Sequence, residues 1–170
     1  MNAPADTAPS DIVVRPLRER DRDRWRELWD IYLTFYEQDL DDEVTESTWR
    51  RLLAREHGMG ALVATDGEGY VVGLAHHVVH AETWSTQPVC YLEDLVVDPG
   101  FRGRGYGRTL IDALGSRAVE LGCGSLYWHT AGDNARARRL YDQIATLSEY
   151  VRYDIELPDT GGDTEGEGQR

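Results

Sequence analysis

Residues 92–114 read LEDLVVDPGFRGRGYGRTLIDAL. An apolar run (Leu92, Leu95, Val96, Val97) breaks at Asp98-Pro99-Gly100. A glycine and arginine loop follows, made of Arg102, Gly103, Arg104, Gly105, Tyr106, Gly107 and Arg108. Apolar residues then recur at Leu110, Ile111, Leu114, Ala118 and Leu121, which is helical spacing. Strand, glycine loop and helix together make an anion site. The first turn of a helix leaves N–H groups without intrahelical partners, and its dipole places partial positive charge there. Glycines let a phosphate approach the backbone, and arginines add positive charge. A dinucleotide fingerprint would read G-x-G-x-x-G and a P-loop Gly-Lys-Ser/Thr. Here the order is R-x-x-G-x-G, and no Gly-Lys-Ser/Thr occurs.

A second chemistry lies just upstream. Glu93 and Asp94 are adjacent acids inside an apolar strand expected over Val89 to Val97. Strict alternation would put Tyr91, Glu93, Leu95 and Val97 on one face and Cys90, Leu92, Asp94 and Val96 on the other. Burying a carboxylate is costly unless it is paired or protonated. Such a group is either a general base with a raised pKa or a partner in a structural ion pair.

The elements around these residues are legible in order. Ile12 to Arg15 makes a short strand stopped at Pro16. A helix begins near Asp21, capped by Asp21 or Asp23, with Trp25, Leu28, Trp29, Tyr32, Leu33 and Tyr36 recurring along it. Trp25, Leu28 and Trp29 read as core, while Tyr32 and Tyr36 carry polar tips suited to a site wall. Residues 37–46 are densely acidic, either a solvated loop or an approach for a polyamine. A second helix is expected from Thr45 or Ser47 to about Arg55. Ala61 to Thr65 and Tyr70 to His80 form a hairpin about Asp66-Gly67-Glu68-Gly69. His76 and His80 share one face of that strand and His77 the other, which makes no three-ligand metal site; they read as polar residues on a half-exposed strand. Ala81 to Pro88 is a polar connection. After the helix from Gly105 to Leu121 come a strand from Ser125 to Thr130, a helix capped by Asp133 or Asn134 that carries Leu140 and Tyr141, and a last alternating strand from Tyr150 to Leu157.

A chain of 170 residues suits one domain. We expect residues 1–10 and 158–170 to be disordered tails flanking a domain over 11–157. No apolar run has membrane-spanning length and no signal-peptide pattern opens the chain. Cys90 and Cys123 lie far apart without metal-ligand spacing, so reduced thiols, a cytoplasmic location and no metal are expected. The net charge of −13 argues against nucleic-acid binding and against an Arg-Gly RNA tract. It favours either cationic partners or plain solubility.

The R-x-x-G-x-G loop after Leu95-Val96-Val97-Asp98-Pro99 resembles the acyl-CoA loop of the GNAT family of N-acetyltransferases. The resemblance extends through Asn134, Leu140 and Tyr141 and covers roughly residues 12–157. It implies an α/β fold: a mixed, mostly antiparallel sheet splayed at the central strand, with helices on both faces. It implies acetyl-CoA as cofactor, with its pyrophosphate on the backbone of Arg102 to Arg108 and its pantetheine arm paired to Leu95, Val96 and Val97 and touched by Asn134. Tyr141 matches the tyrosine that protonates the departing thiolate. The stretch Tyr91-Leu92-Glu93-Asp94-Leu95-Val96-Val97 is similar to that of the diamine and polyamine acetyltransferase branch, where the glutamate corresponding to Glu93 takes the amine proton. Tyr32, Tyr36, Glu93 and Asp94 are the expected acceptor contacts, for a small cationic amine attacked directly in a ternary complex. A protein lysine or N-terminus, an aminoglycoside, or a CoA-binding regulatory role without turnover are the alternatives. Members of the family often dimerise through the last strands or the groove edge, which makes a homodimer an expectation. After Tyr141 this chain lacks the Gly-Phe pair with which many members continue.

Overall fold

The computed structural model describes residues 12–158. The tails expected over 1–10 and 158–170 lie outside the described residues, Pro158 excepted. The chain divides into two compact units, one ending at Asn134 and the other beginning at Ala135.

The first unit is a five-stranded sheet ordered β1 (Val13–Pro16), β2 (Met59–Thr65), β3 (Val71–His80), β4 (Val89–Val97) and β5 (Ser125–Trp128). Neighbours are antiparallel except β4 and β5, which are parallel. α1 (Arg22–Phe35) and α2 (Asp42–Ala54) cover one face, and α3 (Tyr106–Glu120) covers the other. This is the mixed, mostly antiparallel α/β sheet with helices on both faces that the sequence led us to expect.

On the first face Trp25, Leu28 and Trp29 of α1 and Trp49 and Leu52 of α2 pack on Ala61, Val63, Leu74 and Val96. Trp25 lies 5.0 Å from Trp49 and 6.2 Å from Trp29, centroid to centroid. Tilted or offset aromatic pairs of this kind stabilise beyond their buried area. On the other face α3 buries Leu110, Ile111, Leu114 and Ala118. Gly73 of β3 lets it sit close: a Cβ there would lie 3.2 Å from Leu110 Cδ1 and 3.0 Å from the Val96 carbonyl.

Local differences from the sequence reading have physical causes. Asp21 does not cap α1 through its side chain. It accepts two hydrogen bonds from Arg15, at 2.7 and 2.8 Å, and one from the Arg18 N–H. α2 starts at Asp42, not Thr45, so the second half of the acidic stretch forms a helix start. Acids there complement the helix dipole. His76 and His77 are buried, at 3% and 6% exposure, rather than half-exposed. The expected last strand over 150–157 is absent. Tyr150, Val151, Tyr153, Ile155 and Leu157 are 74–90% exposed. Alternation supplies a strand's pattern but not its ladder; without a partner the backbone hydrogen bonds with water.

The second unit holds α4 (Ala135–Ile144) and the segment after it. Arg152 and Asp154 pair at 2.7 Å within that segment.

Candidate active site

β4 ends at Val97, and Asp98 turns the chain. Its carboxylate accepts from the Gly100 N–H at 2.8 Å and is ion-paired with Arg24 of α1. Burial works to raise the Asp98 pKa, but these two donors hold it below the usual carboxylate value. Arg24 also donates to the Val71 carbonyl at 2.7 Å. The loop's entry is therefore fastened to both a helix and a strand.

The loop then needs two left-handed residues, Gly103 (φ 79°) and Gly105 (φ 89°). Side-chain-bearing residues resist that conformation. Gly105 is the N-cap of α3, and among the described residues no side chain caps the helix. The first-turn N–H groups of Tyr106, Gly107 and Arg108 are thus open to an oxyanion. The arginine side chains are less committed to a ligand than their spacing suggests. Arg102 spends its Nε on the Val97 carbonyl at 2.9 Å, and Arg104 donates to the Gly100 carbonyl at 3.1 Å. Arg108 approaches Asp112 at 3.7 Å on the surface. The Tyr106 ring is buried, so this residue offers its backbone.

Beside the loop lies a free strand edge. The β4–β5 ladder runs only from Val89–Ser125 to Leu92–Trp128. Leu95, Val96 and Val97 pair on β3 with Ala75, Leu74 and Gly73, and among the described residues have no ladder partner on the β5 side. The expected splay is present. Uncapped helix N-terminus and unpaired edge are what a pyrophosphate and an amide-bearing pantetheine arm need, so the residues present fit CoA.

At the acids the strand departs from simple alternation. His76 pairs with Asp94 but His77 pairs with Leu92, so Glu93 is an extra residue on β4. Such a bulge re-aims side chains. Paired residues share a face, so Asp94 lies on the His76 face with α1, while Leu92 lies on the His77 face. Asp94 and Leu92, expected on one face, are on opposite faces. Glu93 is exposed and Asp94 half-buried.

Asp94 ends a hydrogen-bond chain. His76 Nδ1 lies 2.9 Å from Asp94 Oδ2, and Trp25 Nε1–H donates to His76 Nε2 at 2.9 Å. Tyr32 lies beside Asp94 and feels the charge of both Asp94 and Glu93; burial first, and then these carboxylates, push its phenol far above the ordinary value. Tyr36, joined to Tyr32, is also raised, first by burial and then by Asp94. The Tyr32 ring stacks on Trp29 at 5.3 Å and meets Tyr36 at 4.8 Å. The structure therefore brings Tyr32, Tyr36, Glu93 and Asp94 together. Trp25 and His76 were missed as polar partners. Their signal was a histidine on a strand opposite an acid, hidden by the unknown register.

Asn134 precedes α4, and its Nδ2–H donates to Thr130 Oγ1 at 3.2 Å. Tyr141 is half-buried on α4, and its carbonyl accepts from the Ala145 N–H at 2.9 Å. Among the described residues no cluster of metal-ligating side chains occurs.

Known proteins agree with this geometry. Residues 23–145 match the model of the acetyltransferase (GNAT) family. The chain is 35% identical over 143 residues to a D-amino-acid N-acetyltransferase, HPA3, of Saccharomyces cerevisiae, covering 84% of this chain and 89% of that protein. It is 35% identical over 74 residues to a thialysine N-epsilon-acetyltransferase of Bos taurus, covering 44% and 43%. Among solved structures, a ribosomal-protein-alanine N-acetyltransferase from Brucella melitensis superposes with a TM-score of 0.73 at 23% identity, over 86% of this chain and 99% of that one. The aminoglycoside acetyltransferase AAC(6')-Iy, held with a CoA-bearing bisubstrate analogue, superposes with a TM-score of 0.75 at 21% identity, over 88% and 100%. With the cofactor cradle, the splayed strand and these matches in hand, the chain belongs to the acetyltransferase (GNAT) family and is an acetyl-CoA-dependent N-acetyltransferase.

Proposed function

We propose that this enzyme acetylates a primary amine of a small cationic acceptor by direct attack within a ternary complex. The observation that carries the reading is the position of Asp94 and Glu93 beside Tyr32 and Tyr36, on the strand whose free edge and following loop fit CoA. The relatives support a small acceptor, since two are named for acetylating amino groups of amino acids.

Acetyl-CoA supplies an activated acyl group. The N–H groups from Arg102 to Arg108 bind its pyrophosphate, and Leu95, Val96 and Val97 orient the pantetheine arm, with Asn134 as a further contact. A backbone N–H of that edge polarises the carbonyl; donors of this kind are commonly worth about 3–4 kcal/mol. An alkyl ammonium has a pKa of about 10.4, so few molecules are nucleophilic at neutral pH. Glu93, exposed at the bulge, takes the proton directly or through water. The Tyr141 hydroxyl returns a proton to the thiolate. Asp94, Tyr32 and Tyr36 seat the amine.

CoA release from acetyl-CoA, measured with D-amino acids, thialysine, spermidine, short diamines, an aminoglycoside and a lysine peptide, tests the reading. Turnover on a small amine supports it. Turnover confined to the peptide or the aminoglycoside replaces the acceptor, and a chain that gains thermal stability with acetyl-CoA but never turns over is a CoA-binding domain.

The exposed alternation of Val151, Tyr153, Ile155 and Leu157 supports a homodimer joined through this segment, because such a strand finds its ladder in another chain. Light scattering on the chain, and on a Val151→Glu/Ile155→Glu variant that should be monomeric, tests it. No helix among the described residues is long and apolar enough to cross a membrane. The free thiols of Cys90 and Cys123 support a reducing, cytoplasmic setting.

A further inference from the structure

Trp25, His76 and Asp94 come from α1, β3 and β4, far apart in sequence, yet form one continuous chain of hydrogen bonds, with the Tyr32 phenol beside its end. An indole N–H only donates. The 2.9 Å contact from Trp25 therefore makes His76 Nε2 an acceptor and puts the ring proton on Nδ1. Nδ1–H then points at Asp94 Oδ2. A doubly protonated or reversed ring would set two N–H groups against each other at Trp25. The His76 side chain is 4% exposed, so water does not substitute for either partner.

Asp94 is thus held by one neutral donor, His76 Nδ1–H, with the Tyr32 phenol beside it and its side chain 13% exposed. Among the described residues it has no ion pair with an arginine. A carboxylate so withdrawn from water without a cation is costly. The missing positive charge is what an ammonium brings, and the Tyr32 and Tyr36 rings beside it favour a cation as well.

We propose that His76 is a positioning residue for the acceptor: locked in one tautomer by Trp25, it aims the Asp94 carboxylate at the ammonium of the incoming amine beside Tyr32 and Tyr36. This rests on the N-acetyltransferase reading above and adds to it the device that makes Asp94 an acceptor-selective seat. Cofactor binding should not depend on it, because the side-chain partners of His76 are Trp25 and Asp94, which lie outside the loop and the Leu95–Val97 edge.

The test uses the full chain with His76→Phe, which keeps ring volume and loses both polar atoms, and His76→Gln, which retains a donor and an acceptor. Steady-state rates are taken with acetyl-CoA and with D-lysine, thialysine and spermidine in turn. The expected result is a rise of about tenfold or more in acceptor KM for His76→Phe, the scale of one lost hydrogen bond to a charged group. KM for acetyl-CoA should stay within about twofold, and His76→Gln should recover most of the loss. If His76→Phe does not fold, a double-mutant cycle of His76→Gln with Asp94→Asn serves: the two effects on acceptor KM should be non-additive. An unchanged acceptor KM, a parallel rise in both KM values, or additivity in the cycle overturns the proposal. Absence of turnover by the parent chain with all three amines instead overturns the small-amine reading on which it rests.

Discussion

Arg24 of α1 and Asp98 at the end of β4 form an ion pair that ties the glycine-rich loop to the first helix across 74 residues of sequence. Their side chains are 13% and 21% exposed. The Arg24 guanidinium also lies 4.6 Å over the Tyr70 ring. Arg24→Ala should cost about 2 kcal/mol, as expected for a partly buried charged hydrogen bond. For a chain of this size that is a melting decrease of about 4–8 °C. Because the loop is what loosens, calorimetric titration should also show weaker acetyl-CoA binding, by about threefold or more.

In the proposed phosphate site the backbone, not arginine charge, is the core. Gly105→Val forces a branched side chain into a left-handed conformation, a strain of about 1–3 kcal/mol, at the cap of the open helix. Its effect on acetyl-CoA Kd should exceed that of Arg104→Ala, whose guanidinium already serves the Gly100 carbonyl and the Phe101 ring. Gly107→Val, in the first turn of α3, should rank with Gly105→Val. The reverse order in a titration would move the site onto the side chains.

Acid and base roles separate by their kinetic signatures. Tyr141→Phe and Glu93→Gln should each lower kcat by about 10²–10⁴, the usual contribution of a positioned proton donor or acceptor. Glu93→Gln should lose less at high pH, where free amine is abundant. Tyr141→Phe should not recover there. Unchanged turnover in either variant would remove that residue from the mechanism.

Acid stability should report on His77. Its imidazole is buried against α3, its Nδ1 has no hydrogen-bond partner among the described residues, and burial lowers its pKa from 6.5 to about 4. The unfolded chain therefore binds a proton that the folded chain refuses between those values. Stability should be full above about pH 6.5 and fall towards pH 4 by about 3 kcal/mol. Asp21 and Asp98, whose folded pKa values are lowered, lose their contributions only below the usual carboxylate value. Melting temperatures of the parent chain and of His77→Phe across pH 4–7 provide the check: the variant should show a flatter slope, although it also crowds Gly60.

The proposed cofactor end of this protein is readable in one stretch of chain. Leu95 to Leu114 carries strand, loop, glycines and helix within local spacing, because each requirement is a local one: positive φ at Gly103 and Gly105, an uncapped first turn, an apolar stripe. β4 was placed at its true ends, Val89 and Val97, for the same reason. The proposed acceptor end is different. Trp25, Tyr32, His76 and Asp94 meet only through the β3–β4 register and the packing of α1 on the sheet. One extra residue, Glu93, reverses which face its neighbours occupy, and alternation alone cannot detect it. The segment from Tyr150 to Leu157 gives the converse case. Its pattern is that of a strand, but a ladder requires a second backbone, and tertiary structure decides whether one is present.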